Sequence, residues 1–200
     1  MTKTATIELH KPGIGELLFF ILSGAIVSIP LTLFLEQNFG APLINGLPAI
    51  TVSIITIVIF APFVEEFSKI FPLFYRHGET QRSIFTLALC VGLGFGIVEF
   101  VTYIVLYGAV IIPDRIPGLF FHPASASISA YGIATRRPMP YYLVAVGLHF
   151  TNNVFAVFLP TLPISFLVLL VTLLTSWRLR AKAKNVFVRC EHLSCPDPES

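Results

Sequence analysis

The sequence predicts an all-α membrane protein, a polytopic bundle of about six transmembrane helices. Hydrophobic residues make up 55% of the 200-residue chain and charged residues only 12%, whereas soluble domains carry about 25% charged residues. Apolar runs long enough to cross the ~30 Å hydrocarbon layer recur along the whole chain. One membrane domain over residues 1–180 therefore accounts for nearly all of it, and we expect residues 181–200 to be a short, disordered cytoplasmic tail.

The predicted spans are the apolar runs between groups of charged and turn-forming residues. They are Ile14–Leu35, Pro48–Tyr75, Ser83–Ile112, Leu119–Thr135, Tyr141–Leu159 and Ile164–Trp177. The first is too long for the apolar core of a secretory signal and is expected to be an uncleaved helix. The third, about 45 Å if fully helical, must tilt, kink or protrude. Connectors are expected at residues 36–47 and 113–118, where glycine and proline accumulate.

The basic residues alternate along these connectors. They fall in the N-terminal lead, at residues 76–82, at residues 136–137 and in the tail, while the alternate connectors contain only Arg115. By the positive-inside rule, both termini are predicted to lie in the cytoplasm. A net charge of +2 gives no indication of a nucleic-acid partner.

Two adjacent carboxylates and a lysine follow the apolar run of the second span. Each of Glu65, Glu66 and Lys69 would cost roughly 2.5 to 3.5 kcal/mol at bilayer depth, which favours a functional use. Lys69 is four residues after Glu65 and three after Glu66, so it can pair with either on a helix. The structural alternative is a pair at the membrane edge whose side chains snorkel to the headgroups.

Further ionisable residues occur in three other spans. Counted along continuous helices from the nearest cytoplasmic arginine, Glu65, Glu99, His122 and His149 lie roughly 16 to 25 Å into the layer. This agreement in depth predicts one buried polar site. Simpler alternatives remain. Glu99 could pair with Arg115 or Lys69. His149 and Asn153, four residues apart on one helix face, could serve merely to form hydrogen bonds between neighbouring helices.

His122 is followed by Pro123. The residue before a proline is disfavoured in helical geometry, so the fourth helix is expected to begin at Pro123, with His122 in non-helical backbone beside a cavity. The positive end of that helix would favour a neutral imidazole.

Taken in order, these motifs resemble the PrsW family of intramembrane proteases, in the clan of the type II CAAX prenyl proteases. The motifs are Glu65-Glu66-x-x-Lys69, Phe95-x-x-x-Glu99, an isolated His122 after Arg115, and His149-x-x-x-Asn153. The prenyl proteases have Glu-Glu-x-x-x-Arg and Phe-x-x-x-His instead. Lys69 and Glu99 therefore favour the PrsW branch.

The resemblance implies a reaction and a role for each residue. Glu65, or as second choice Glu66, would take a proton from a water held near His122 or Glu99, and this water would attack a peptide carbonyl. His149 and Asn153 would donate hydrogen bonds to the oxyanion. Supporting roles fall to Lys69, Phe95 and Arg115.

The clan has been described both as metal-dependent and as metal-independent. We favour the reaction without metal, because no His-Glu-x-x-His is present and glutamate, histidine and asparagine suffice. Zinc stays an alternative, with His122, His149, Glu65 and Glu99 as ligands.

The partners implied are the lipid bilayer of the cell membrane and a membrane-anchored protein or peptide substrate. Two other classes stay open. A proton-coupled transporter would also need glutamate and histidine within the membrane, although the chain has no detectable repeat. A non-catalytic membrane scaffold would not need the complete set of acid–base residues. The presence of the complete set therefore favours an enzyme.

Overall fold

A computed structural model describes residues 11–75, 80–159, 164–185 and 188 of the chain. These residues form six long helices joined by short connections. The helices are α1 (Ile14–Gly40), α2 (Ala49–Phe74), α3 (Gln81–Tyr107), α4 (Ile112–Ala134), α5 (Pro138–Phe158) and α6 (Ile164–Lys182). The predicted all-α fold is thus confirmed for the described part of the chain.

Four of these helices, α1, α2, α3 and α5, are long and apolar enough to cross a membrane. Many of their large apolar side chains are exposed, among them Leu18, Ile59, Val105 and Phe150. Apolar side chains cover the outside of helices that face lipid. The chain is therefore a multi-pass membrane protein. The N-terminal lead, most of the loop at 76–82, the turn at 160–163 and most of the tail lie outside the described residues.

Helix α4 is at the centre of the bundle and packs against α2, α3, α5 and α6. Almost every residue from Phe121 to Ala130 is buried, and most of these are alanine or serine. Small side chains let neighbouring helices approach from all sides. One polar contact fixes α6 to α4, where the hydroxyls of Ser127 and Ser176 lie 2.7 Å apart.

Glycines bring α3 into backbone contact with its neighbours. A Cβ at Gly92 would lie only 2.6 Å from the Cα of Pro123, and one at Gly94 would overlap the carbonyl of Ile21 in α1. These positions require glycine, because any side chain would push the helices apart. The close approach at Gly92 holds α3 against α4 beside His122.

The expected start of the fourth helix at Pro123 is wrong, as is the expected turn at 113–118. Helix α4 begins at Ile112 and runs through Pro117 and Pro123. Pro113 occupies the first turn, where no backbone donor is needed. Prolines are tolerated inside membrane helices whose neighbours compensate for the lost bond. His122 is consequently helical, and the expected effect of a helix start on its imidazole does not apply.

Other helix ends also differ from the prediction, those of α1 and α3 most clearly. Helix α1 continues beyond Leu35 into the π-helical segment Glu36–Gly40, where the sequence predicts a connector. Glycine at position 40 lets the helix continue close to Phe60 of α2, because a Cβ there would lie only 2.9 Å from the ring of Phe60. Helix α3 ends at Tyr107 rather than Ile112, because Gly108 adopts φ +77°, a conformation that favours glycine.

Candidate active site

The site is built on an ion pair inside α2. The Lys69 ammonium lies 2.6 Å from Oε1 of Glu66, one helical turn earlier, and both side chains are completely buried. The same ammonium lies 3.0 Å from Nδ1 of His122 and 3.3 Å from Oγ of Ser125, both in α4. A charge removed from water is retained only when it is paired and hydrogen-bonded. Lys69 satisfies this condition with three partners.

His122 connects α2 to α3. Its Nδ1 faces Lys69, and its Nε2 makes a short hydrogen bond to Oε2 of Glu99. The carboxylate of Glu99 is 26% exposed, whereas His122 is buried. Glu99 therefore pairs with His122, and it forms the partly exposed end of a chain of contacts that begins at Lys69.

His149 connects α5 to both carboxylates of α2. Its Nδ1 lies 2.9 Å from Oε1 of Glu66, and its Nε2 lies 3.8 Å from Oε2 of Glu65. Glu65 is 15% exposed, whereas Glu66 is not exposed at all. Among the described residues, Oε2 of Glu65 has no hydrogen-bond partner, nor has the second oxygen of Glu66. Of the two adjacent glutamate side chains, only that of Glu65 is partly exposed, although its Oε2 is buried.

Aromatic rings surround the polar groups. The ring of Phe95 lies 5.1 Å from that of His122 and 5.2 Å from the Lys69 ammonium. The ring of Phe121 lies 5.2 Å from that of His149 in an edge-to-face arrangement. Apolar walls lower the local dielectric and strengthen every charge interaction inside. Phe95 thus contacts the cluster.

Asn153 of α5 contacts the backbone of α2. Its side-chain nitrogen lies 2.8 Å from the carbonyl oxygen of Ile57, inside the π-helical segment Ile54–Phe60. The amide of Ala61 bonds the carbonyl of Thr56, and the next residue, Pro62, has no N–H to offer. The carbonyl of Ile57 thus lacks a helical donor, and Asn153 supplies one.

Two residues near the site were not singled out as site residues by the sequence reasoning. Ser125 accepts from Lys69, and Tyr103 lies under Arg115, whose guanidinium carbon is 3.5 Å from the ring centre. Ser125 is three residues after His122 on the same helix face, which is the only local signal that could have identified it. Arg115 thus stacks on a tyrosine near the end of α3 and the start of α4.

The donor atoms of the site are arranged around a lysine ammonium rather than around a metal ion. Nowhere in the described ranges do three His, Cys, Asp or Glu side chains form a group that could hold one. Both ring nitrogens of His122 face other side chains, one of them the Lys69 ammonium. A divalent ion beside that ammonium would meet a like charge. In this arrangement the residues do not fit a zinc site.

Buried carboxylates, imidazoles and a lysine, contributed by α2, α3, α4 and α5, define a multi-pass membrane protein with an intramembrane polar site. The comparison with protein families agrees with this class. A family model described as PrsW family intramembrane metalloprotease matches residues 13–177. The chain belongs to the PrsW family, as the order of its motifs predicted. Neither the curated proteins nor the solved structures contain a match.

Proposed function

We propose that this protein is a glutamic-type intramembrane endopeptidase that hydrolyses peptide bonds of membrane-embedded or membrane-anchored proteins. The observation that carries the proposal is the position of Glu65. Its side chain is 15% exposed, and its Oε2 is a buried oxygen without a hydrogen-bond partner among the described residues, 3.8 Å from Nε2 of His149. A general base must reach its water while remaining inside a water-poor site. Family membership supports the proteolytic activity.

Glu65 is preferred over Glu66 as the base. Oε1 of Glu66 already interacts with Lys69 and His149, and the side chain is fully buried. Such a carboxylate can orient its neighbours but has no access to a substrate. Glu66 and Lys69 are therefore positioning residues in this proposal.

The reaction proceeds in two steps. Glu65 takes a proton from water as the oxygen attacks the peptide carbonyl carbon, which gives a tetrahedral intermediate. When the carbon–nitrogen bond breaks, the leaving amine takes the proton from Glu65, and an acid and an amine are released. Asn153 retains a second amide hydrogen besides the one directed at Ile57, and this hydrogen is available to the oxyanion.

The cation inside the site supports the metal-free reaction. Lys69 provides a fixed positive charge where the carboxylates converge, so the charge of the cluster is compensated by the chain itself. Zinc takes part in no step of this reaction, because the described residues do not form a three-ligand group.

We further propose that all six helices span the cell membrane, with both termini in the cytoplasm. Helices α4 and α6 complete the bundle around the four apolar helices. The contacts of α4 with α3 and α5, and of α6 with α4 and α5, support this arrangement. The alternation of basic residues along the connectors supports the orientation.

Cleavage of a panel of single-span membrane substrates by the purified protein tests this function. We compare wild type with Glu65→Gln and Glu66→Gln, each with and without a strong chelator. Loss of a general base typically lowers the rate by ~10² to 10⁴, so Glu65→Gln should lose at least about 100-fold. Asp114→Asn is the matched control, since Asp114 is exposed at the start of α4.

The chelator separates the two mechanisms. Wild-type activity that survives chelation supports the glutamic mechanism. Activity that disappears with chelator and returns with zinc would overturn it. Full activity of Glu65→Gln would remove Glu65 from the role of base.

A further inference from the structure

The hydrogen bonds around Lys69 have a fixed direction. An ammonium group has three hydrogens and no acceptor, so each of its contacts is a donated bond. Its partners at 2.6, 3.0 and 3.3 Å are Oε1 of Glu66, Nδ1 of His122 and Oγ of Ser125. Each of these atoms is therefore an acceptor.

This direction determines where the hydrogen of His122 lies. Because Nδ1 accepts from Lys69, the single hydrogen of the neutral ring is on Nε2. Nε2 then donates to Oε2 of Glu99. Both nitrogens of His122 are occupied, and the ring has no lone pair left for a water molecule.

His149 is fixed in the opposite tautomer. Oε1 of Glu66 accepts from Lys69, so it also accepts from Nδ1 of His149 at 2.9 Å. A neutral imidazole carries one hydrogen, and here it is on Nδ1. Nε2 of His149 is therefore an unprotonated acceptor. The atom it faces, at 3.8 Å, is Oε2 of Glu65.

Two acceptors thus face each other across a gap. A separation of 3.8 Å is too long for a direct hydrogen bond, yet one oxygen atom can lie about 2.8 Å from both. Neither atom can satisfy the other, because neither carries a hydrogen when Glu65 is ionised. A water molecule has the two hydrogens that this pair lacks.

We propose that the attacking water binds between Oε2 of Glu65 and Nε2 of His149 and donates one hydrogen to each. His149 is then an acceptor that orients the nucleophile, in place of the oxyanion donor that its motif predicts. This inference rests on the proposed function, in which Glu65 is the base, and assigns the second partner of the water.

The geometry suits the chemistry. With both hydrogens held, the lone pairs of the water point away from Glu65 and His149, towards the space that a peptide carbonyl would occupy. During attack one O–H bond breaks and its proton goes to Glu65. The other hydrogen stays on the oxygen and remains bonded to neutral His149. Glu66 acts through His149 as a positioning residue, as Asp does for His in serine proteases.

The tautomer of His149 can be measured without any substrate. Nitrogen-15 NMR of histidine separates protonated from unprotonated ring nitrogens, and the full-length chain in lipid vesicles at neutral pH is the sample. The chain has five histidines, so signals must be assigned. Carbonyl labelling of phenylalanine selects His122, and labelling of leucine selects His149 once His10→Gln has removed the other histidine that follows a leucine.

The expected result is a neutral His149 with hydrogen on Nδ1 and an unprotonated Nε2, beside His122 with the reverse pattern. His122 is an internal comparison within the same sample. A hydrogen on Nε2 of His149, in a neutral ring or in an imidazolium, would overturn the inference. The measurement needs no substitution in the site, so misfolding of a site variant cannot affect the result.

The outcome is separable from that of the proposed function. Cleavage that depends on Glu65, together with a protonated Nε2 on His149, would overturn the assignment of the water and leave the protease intact. If NMR shows the predicted tautomer but no cleavage depends on Glu65, the proposed protease reaction is overturned, and the pair of acceptors stands without that reaction.

Discussion

Lys69 is the most constrained residue of the site. It is fully buried, and its ammonium touches a carboxylate, an imidazole and a hydroxyl from two helices. Removing one partner of a buried ion pair leaves the other charge uncompensated, which typically costs about 3 to 5 kcal/mol. Stability and site geometry therefore depend on the same side chain.

We expect Lys69→Met to lower the thermal unfolding midpoint and to abolish cleavage, because Glu66 loses its cationic partner and Nδ1 of His122 loses its donor. The double variant with Glu66→Gln should recover part of the midpoint, since no buried charge is then unpaired. Thermal unfolding in detergent measures both. Lys182→Met, at an exposed position of α6, is the matched control. Equal midpoints for Lys69→Met and this control would contradict a structural role for the pair.

At the scale of helices, the packing of α3 on α4 sets the distance between Glu99 and His122. A Cβ at Gly92 would meet the backbone of His122 and Pro123, whereas a Cβ at Gly147 in α5 would meet no atom within 4 Å. Since backbone atoms cannot rotate away, a methyl group at Gly92 must separate the two helices.

We therefore expect Gly92→Ala to lose cleavage and to unfold at lower temperature, and Gly147→Ala to behave as wild type in both assays. Alanine favours helix over glycine at both positions, so intrinsic propensity alone would stabilise both variants. If Gly92→Ala has the same cleavage activity and unfolding temperature as wild type, α3 and α4 can shift without effect on the site.

The contact between α2 and α5 depends on Asn153, whose side-chain amide donates a hydrogen bond to the carbonyl oxygen of Ile57. Interhelical hydrogen bonds in membrane proteins average ~0.6 and reach ~1.7 kcal/mol. We expect Asn153→Ala to destabilise the protein by about this amount, and Asn152→Ala, at the neighbouring position, to have little effect. Reversible unfolding of both variants measures the difference. A larger loss of turnover than of stability in Asn153→Ala would indicate that Asn153 also contacts the reacting groups.

At the scale of the whole molecule, the orientation in the membrane decides from which side a substrate and water reach Glu65. If both termini are cytoplasmic, the exposed residues Asn45 and Ala109 lie in outer connections and Arg136 lies in an inner one. Single cysteines at these positions, in a chain whose Cys90, Cys190 and Cys195 are replaced by serine, can be labelled with an impermeant thiol reagent. We expect labelling of the first two in intact cells, and of position 136 only after permeabilisation. Labelling of position 136 in intact cells would reverse the topology.

The sequence by itself determined the class of protein and predicted which residues would form the candidate site. Its apolar composition required a membrane fold, and polar groups such as Glu65, Glu99 and His149 within apolar runs are costly enough to indicate a shared use. Their family followed from the order of the motifs. Helix boundaries at prolines could not be obtained in this way, because local preference is overruled when neighbouring helices pack around the backbone, as at Pro123.

Only the tertiary structure decided how the site residues divide their roles. Spacing on α2 allows Lys69 to pair with either glutamate, and the contacts with His122 and His149 select Glu66. That selection leaves Glu65 with an unpartnered oxygen beside His149. The direction of these hydrogen bonds is set by the donors that face each atom, because an ammonium can only donate and a carboxylate can only accept. Such donors come from helices far apart in the chain, so no local pattern in the sequence contains them.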